Sequence, residues 1–249
     1  MSRRASLAGR LIAEFVGTAF LLIGVVGSGI MAERLTDDVG LQLLINAFAT
    51  AGVLVALILA LGPASGAHLN PMVTLADRVF GGIGTRHAAA YVGAQMTGAV
   101  TGVIVANIMF DLPAVEWSTT ERSGSHLLLA EVVATLGLLL VIFGIVRSGR
   151  GGLAAFGVGA YIGGAYFFTS STSFANPAVT VARALSDTFA GIDPSDVAAF
   201  IAAQLVGTAV ALVVIRAVYP DIAAVADQVV VPHQHTRDRV AARSIDTHV

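Results

Sequence analysis

Two stretches of the chain decide its fold: Asn70-Pro-Met-Val-Thr-Leu-Ala76 and Asn176-Pro-Ala-Val-Thr-Val-Ala182. Asparagine is a favoured N-cap, and a proline in the first turn of a helix has no amide hydrogen to leave unpaired. Both stretches therefore predict helix N-termini. The apolar segments that they open, 70–79 and 176–185, are about ten residues long, which is too short to cross a bilayer.

Six longer apolar segments surround these two. The chain of 249 residues is 56% hydrophobic and only 12% charged, whereas soluble domains carry roughly 25% charged residues. Its mean hydropathy is +0.82. The sequence therefore predicts an all-α membrane protein with six spans and two half-helices, the spans lying near residues 9–31, 39–61, 88–110, 126–146, 152–170 and 196–219.

Three markers recur in the same order in both halves of the chain: a glutamate after alanine, the Asn-Pro pair, and an Ala-Gln pair. The repeats cover about residues 8–110 and 126–219, and each holds three spans, so the second repeat must be inverted relative to the first. The two half-helices then enter from opposite faces and their N-termini meet at mid-membrane. The markers are Ala13-Glu14, Asn70-Pro71 and Ala94-Gln95, then Ala130-Glu131, Asn176-Pro177 and Ala203-Gln204.

Non-helical backbone at that depth is tolerated only where protein buries it or water fills a cavity. We therefore expect the loops 62–69 and 169–175 to line an aqueous pore and to offer their carbonyl oxygens to solutes. The facing helix N-termini place positive potential at the centre of the pore, and the amides of Asn70 and Asn176 are expected to donate to a passing oxygen. This arrangement repels cations and protons and favours neutral hydroxyl compounds.

Carboxylates are costly within a bilayer, so Glu14 and Glu131 are expected to face inward and accept hydrogen bonds from the loop amides. A proton relay is the alternative interpretation of these two residues. Gln95 and Gln204 are expected to bridge closely packed helices and to have no role in transport.

The motifs Ala13-Glu-Phe-Val-Gly-Thr-Ala19, Ser65-Gly-Ala-His-Leu-Asn-Pro-Met-Val-Thr74 and Ala175-Asn-Pro-Ala-Val-Thr180 resemble those of the aquaporin and aquaglyceroporin superfamily. The resemblance covers about residues 8–219. It implies a right-handed bundle with a pore in each subunit and a homotetramer. It also implies a pore midplane formed by Asn70, Pro71, Met72, Asn176, Pro177 and Ala178, where Met72 replaces the usual alanine.

The sequence departs from the superfamily at the outer selectivity filter. The second motif normally continues with arginine, and Val179 occupies that position. Spacing from the motifs assigns the other filter positions to Thr50, Gly164 and Ser173, although a shift of two residues would present Phe48 or Tyr166. A filter of four small uncharged side chains is expected to be wider and less selective than the usual one.

Two further residues are candidates for contact with solutes. Arg183 lies four residues after Val179 and thus one helical turn nearer the outer surface. It is interpreted either as a vestibule contact or as an anchor that reaches lipid or tethers a loop. His68 matches the superfamily's pore-loop histidine, which implies that its ring lines the pore or makes conduction sensitive to pH.

The function expected from these features is passive conduction of small neutral solutes: glycerol-like polyols, metalloid hydroxides such as arsenite, methylated arsenicals and water. A branch of bacterial aquaglyceroporins linked to arsenic resistance resembles the chain in lacking the filter arginine. The alternatives are a water-selective aquaporin and an ion-coupled secondary transporter, whose ion site would need Glu14 and Glu131. No convergent catalytic group, metal site, cofactor or nucleic-acid partner is expected, and cysteine is absent.

Charge distribution predicts the topology. All 14 basic residues are arginine, and most lie on the face that also carries the termini. The positive-inside rule makes that face cytoplasmic, in a multi-pass protein of the inner membrane with both termini in the cytoplasm. The predicted domains are one channel domain, 1–220, and a polar cytoplasmic tail, 221–249.

Overall fold

The computed structural model describes residues 5–222, so all but the first two residues of the predicted tail lie outside the described residues. Within this part of the chain the secondary structure is helical, with no strand. The elements are α1 Leu7–Leu35, α2 Val39–Ser65, α3 Pro71–Phe80, α4 Thr85–Met109, α5 Ser125–Arg147, a 3₁₀ turn at Gly151–Leu153, α6 Ala154–Phe168, α7 Pro177–Arg183 and α8 Pro194–Val218.

Six of the helices in residues 5–222 are long and apolar enough to cross a membrane: α1, α2, α4, α5, α6 with its preceding 3₁₀ turn, and α8. Helices α3 and α7 have only 10 and 7 residues. The predicted pattern of six spans and two half-helices is therefore confirmed. Both half-helices begin where the local chemistry predicts, with asparagine as the N-cap and proline in the first turn.

The two halves of the chain pack in the same way. Helix α1 contacts α2 and α4, its counterpart α5 contacts α6 and α8, and α2 against α6 joins the halves. Helix α3 contacts α4, α5 and α8, while α7 contacts α1, α4 and α8. Each half-helix is thus enclosed by spans from both halves, which places the two short elements at the centre of the bundle.

Glycines allow the closest helix crossings. A Cβ atom on Gly98 or Gly102 of α4 would overlap the carbonyl oxygen of Phe15 or Ala19 in α1. A Cβ atom on Gly207 of α8 would lie 2.6 Å from the carbonyl oxygen of Val132 in α5. Small residues drive close helix packing in membranes because they bring backbones into van der Waals contact.

We predict that Gly98→Ala and Gly102→Ala each destabilise the protein by about 1–3 kcal/mol, because the added methyl group has no space beside the backbone of α1. The matched control is Gly93→Ala on the same helix, where an added Cβ has no neighbour within 4 Å. Thermal unfolding in detergent, followed by tryptophan fluorescence or circular dichroism, measures the effect. Equal unfolding temperatures for all three variants would contradict this account of the α1–α4 contact.

Candidate functional site: a pore between the half-helices

The loops that precede the two half-helices have the same unusual backbone conformation. Ala67 and Leu69 have φ values of 45° and 49°, and the equivalent Ser173 and Ala175 have values of 54° and 47°. Residues other than glycine rarely adopt this left-handed region, and it costs them roughly 1–2 kcal/mol each. The conformation therefore needs strong tertiary contacts to hold it.

Glu14 supplies those contacts in the first half. Its Oε1 accepts hydrogen bonds from Ser65 Oγ at 2.6 Å and from the His68 amide at 3.0 Å. Its Oε2 accepts from the Leu69 amide and from Gln95 Nε2, both at 2.8 Å. The side chain is fully buried. Four donors on one carboxylate explain how a charged residue is tolerated at this depth.

Glu131 repeats the arrangement in the second half. Its Oε1 accepts from Ser171 Oγ at 2.7 Å and the Phe174 amide at 2.9 Å, and its Oε2 accepts from the Ala175 amide at 2.8 Å and Gln204 Nε2 at 2.7 Å. Glu14 and Glu131 thus both face inward onto the loops of their own halves.

The two glutamines tie each carboxylate to the half-helix beside it. Gln95 Nε2 also lies 3.0 Å from Thr74 Oγ1 on α3, and Gln204 Nε2 lies 2.9 Å from Thr180 Oγ1 on α7. Each glutamine therefore bridges three elements: a span, a half-helix and the glutamate of a second span.

Reciprocal hydrogen bonds join the two half-helices at their N-termini. Asn70 Nδ2 donates to the Ala175 carbonyl and Asn176 Nδ2 donates to the Leu69 carbonyl, each at 2.8 Å. The Oδ1 atoms cap the helices, since that of Asn70 accepts from the Met72 amide at 2.8 Å and that of Asn176 from the Ala178 amide at 3.0 Å. One amide hydrogen of each asparagine is left for a solute.

A narrow internal cavity of about 60 Å³ runs past this joint. One wall is apolar and comes from α1, α2, α5 and α6. The other wall is formed by the two loops and carries Asn70 and Asn176; Met72, Ala178 and the two prolines are buried but do not line it. The apolar wall consists of Leu21, Val25, Leu54, Ile58, Leu138, Ile142, Val158 and Ile162.

Thr50, Ser173 and Val179 all line the cavity and are buried. Gly164 is not among the lining residues: it is exposed on the outside of α6, where only the Phe168 ring lies within 4 Å of an added Cβ. Tyr166 lines the cavity instead, with its hydroxyl 3.1 Å from Thr50 Oγ1. Two residues along a helix turn the side chain through about 200°, so this finding corrects the assignment of Gly164.

Arg183 lines the same cavity and lies on the same half-helix as Val179. It is buried, its Nε donates to the Ala190 carbonyl, and its guanidinium lies 3.5 Å from the centroid of the Phe174 ring. The side chain therefore tethers a loop and faces the cavity at once, and it does not reach toward lipid. We call the part of the cavity lined by Thr50, Tyr166 and Val179 the neck. With Tyr166 and Arg183 lining the cavity, the expectation of a filter formed only by small uncharged side chains is corrected.

His68 lies on the cavity wall in the first half. Its Nδ1 is 3.1 Å from Thr74 Oγ1, its Nε2 is 3.6 Å from Asp77 Oδ2, and its ring packs edge-to-face on Tyr91 at 5.4 Å. Asp77 was not among the residues that the sequence predicts at the pore. The available signal was its spacing, because Asp77 follows Asn70 by the same interval at which Arg183 follows Asn176.

Comparison with known proteins agrees with this geometry. Residues 1–173 match the Major intrinsic protein family. Aquaglyceroporin AqpS of Rhizobium meliloti (strain 1021) is 47% identical over 207 residues, which are 83% of this chain and 88% of that protein. Aquaporin NIP1-4 of Oryza sativa subsp. japonica is 34% identical over 70% of this chain and 65% of its own length.

The fold is shared with a solved structure, that of the aquaglyceroporin from Plasmodium falciparum. The TM-score is 0.69 at 21% identity, and the match covers 87% of this chain and 99% of the other. The chain belongs to the Major intrinsic protein family. It is a multi-pass membrane channel for small neutral solutes and not an enzyme.

We predict that Glu14→Gln and Glu131→Gln each destabilise the channel by about 2 kcal/mol or more, because an amide NH₂ would face backbone donors that then lack an acceptor. Unfolding temperature in detergent and solute flux should fall together. Glu33→Gln is the control, since Glu33 is exposed on the same helix as Glu14. Unchanged stability combined with loss of proton-driven flux would instead support a proton relay.

Proposed function

We propose that this channel conducts glycerol-like polyols, water and the neutral hydroxides of metalloids such as arsenite, with methylated arsenicals as further candidates. The observation that carries the proposal is the two-sided wall of the cavity, in which aliphatic side chains face the two loops and the side-chain amides of Asn70 and Asn176. A polyol has the same division, since its carbon chain is apolar and its hydroxyl groups both donate and accept hydrogen bonds. Such a solute gains contacts on both sides of the pore.

Val179 supports the proposal that the neck admits solutes larger than water. A valine side chain ends close to its own backbone, whereas an arginine at this position would extend into the cavity that Val179 lines. The neck retains hydroxyl groups from Thr50 and Tyr166, so it stays polar on that side. A pore for water alone would not need the space that a valine leaves at position 179, which argues against the water-selective alternative.

Metalloid hydroxides fit the same argument, because a compact molecule with three hydroxyl groups resembles glycerol in size and hydrogen bonding. The name of the 47% identical relative, an aquaglyceroporin, supports a polyol-sized pore in this chain. We therefore place glycerol and arsenite in one substrate class and propose that both pass through the cavity described above.

The coupled-transporter alternative needs an ion site at the deep carboxylates. Each oxygen of Glu14 and of Glu131 already accepts two hydrogen bonds from protein donors. These bonds hold the loops in a conformation that the backbone does not favour on its own. A scaffold role therefore accounts for both residues without ion coupling.

We also propose the assembly and topology that the family resemblance and the arginine distribution favour. Residues 1–220 form one channel domain of a homotetramer in the inner membrane, both termini are cytoplasmic, and residues 221–249 form a cytoplasmic tail. The cluster of arginines in the connections of one face supports this orientation.

We predict that Val179→Arg lowers glycerol and arsenite flux by about tenfold or more while water flux persists, because the guanidinium fills the neck. Val179→Met is the comparison, since it adds length without charge and separates narrowing from electrostatics. Stopped-flow light scattering of proteoliposomes measures all three solutes. A wild-type channel that passes water but neither glycerol nor arsenite would refute the proposed substrate class.

A further inference from the structure

The two half-helices carry opposite charges at equivalent positions. Asp77 lies seven residues after Asn70, and Arg183 lies seven residues after Asn176. The half-helices are inverted relative to each other, so these residues lie toward opposite ends of the pore. Asp77 is near the end of α3 and Arg183 is the last residue of α7.

Each of these residues contacts the same loop position in its own half. Asp77 Oδ2 is 3.6 Å from Nε2 of His68, two residues before Asn70. The Arg183 guanidinium is 3.5 Å from the ring centroid of Phe174, two residues before Asn176. His68, Phe174 and Arg183 all line the cavity. The repeated contact shows that this position of a half-helix is directed toward the pore loop and not toward lipid.

Arg183 forms no direct ion pair with a carboxylate among residues 5–222, and Glu131 acts on it only from a longer distance. No acidic oxygen within residues 5–222 lies within 4.0 Å of its guanidinium, and none of the described residues that line the cavity is acidic. Its Nε is bonded to the Ala190 carbonyl, while the two terminal nitrogens have no hydrogen-bond partner in the described part of the chain. The Phe174 ring face provides the compensating contact, as aromatic faces do for guanidinium groups.

A second unpartnered group lies in the same region. Ser173 is 4% exposed and lines the cavity, and its Oγ has no hydrogen-bond partner among residues 5–222. A buried hydroxyl without a partner is unfavourable unless something in the cavity binds it. Guanidinium donors and a free hydroxyl thus border the cavity near Val179.

We propose that Arg183 is a second determinant of charge selectivity in this channel, in addition to the facing N-termini of the half-helices: it supplies, one helical turn further out, the positive charge that position 179 lacks. The inference rests on the proposed function, because it concerns the same pore. Val179 sets the width of the neck, and Arg183 repels cations before they reach it. The pore can therefore be wide enough for neutral solutes and still exclude cations, because Val179 controls the size of the solute and Arg183 acts on its charge.

The test uses Arg183→Gln, Arg183→Lys and Arg122→Gln in proteoliposomes made with full-length protein. Arg122 is the matched control because its guanidinium lies 5.0 Å from the same Phe174 ring and donates to the Gly191 carbonyl, yet it does not line the cavity. Burial lowers the pKa of the Arg122 guanidinium from its usual value. Potassium and proton leak are followed with potential- and pH-sensitive dyes, and glycerol flux is recorded on the same vesicles.

We expect Arg183→Gln to raise cation leak by about tenfold while glycerol still passes, since one fixed charge close to the path of an ion changes its barrier by about that factor. Arg183→Lys should keep the exclusion, and Arg122→Gln should change the leak much less than Arg183→Gln, because Arg122 does not line the cavity. Adding Val179→Arg to Arg183→Gln should bring the leak back down, because it returns a charge to the neck.

The proposal would be overturned if Arg183→Gln leaked cations no faster than the wild type. It would also be overturned if Arg183→Gln and Arg122→Gln leaked equally, because loop tethering, which both arginines provide, would then explain the effect. If the Arg183→Gln protein does not insert into the vesicles, Arg183→Lys provides the test. A cation leak equal to that of protein-free vesicles supports the proposal, and a higher leak overturns it. Absence of glycerol flux in the wild type would instead refute the proposed function, so the two failures are distinguishable.

Discussion

Two buried carboxylates hold the backbone on which the pore depends. Inside a bilayer every backbone amide and carbonyl must find a partner or line water. Glu14 and Glu131 each bind two amides of a loop whose left-handed residues would otherwise be strained. Because the carboxylates bind the amide hydrogens, the left-handed loop residues are held in place. The Leu69 and Ala175 carbonyls can then accept from the asparagine amides of the opposite half, so the joint between the half-helices follows from this one interaction.

The half-helices depend on the same loops, since each asparagine amide binds a carbonyl of the opposite loop. Asn70 reaches Ala175 and Asn176 reaches Leu69, so neither loop is complete without the other half of the chain. This reciprocity is the structural consequence of an inverted repeat. The apolar wall then comes from spans of both halves, which gives the cavity one aliphatic side and one hydrogen-bonding side along its length.

Local chemistry made most of the fold predictable from the sequence. The Asn-Pro pairs specify helix starts without reference to the rest of the chain, and the length of each apolar stretch separates spans from half-helices. The position of Gly164 was not predictable, because the rotation of α6 about its axis is set by packing and not by distance along the chain from Asn176. Tyr166 faces the cavity for that reason. The contacts of His68 with Asp77 and of Phe174 with Arg183 join a loop to a half-helix, so spacing alone did not reveal them.

Under the proposed function, solutes cross this pore passively and the two carboxylates serve as scaffold and not as an ion site. Glycerol efflux from wild-type proteoliposomes, measured over a range of temperatures with ionophores present to collapse proton and sodium gradients, tests it most directly. The account predicts flux that is unaffected by the ionophores, does not saturate and depends weakly on temperature. Flux that saturates and disappears when the gradients are collapsed would contradict it.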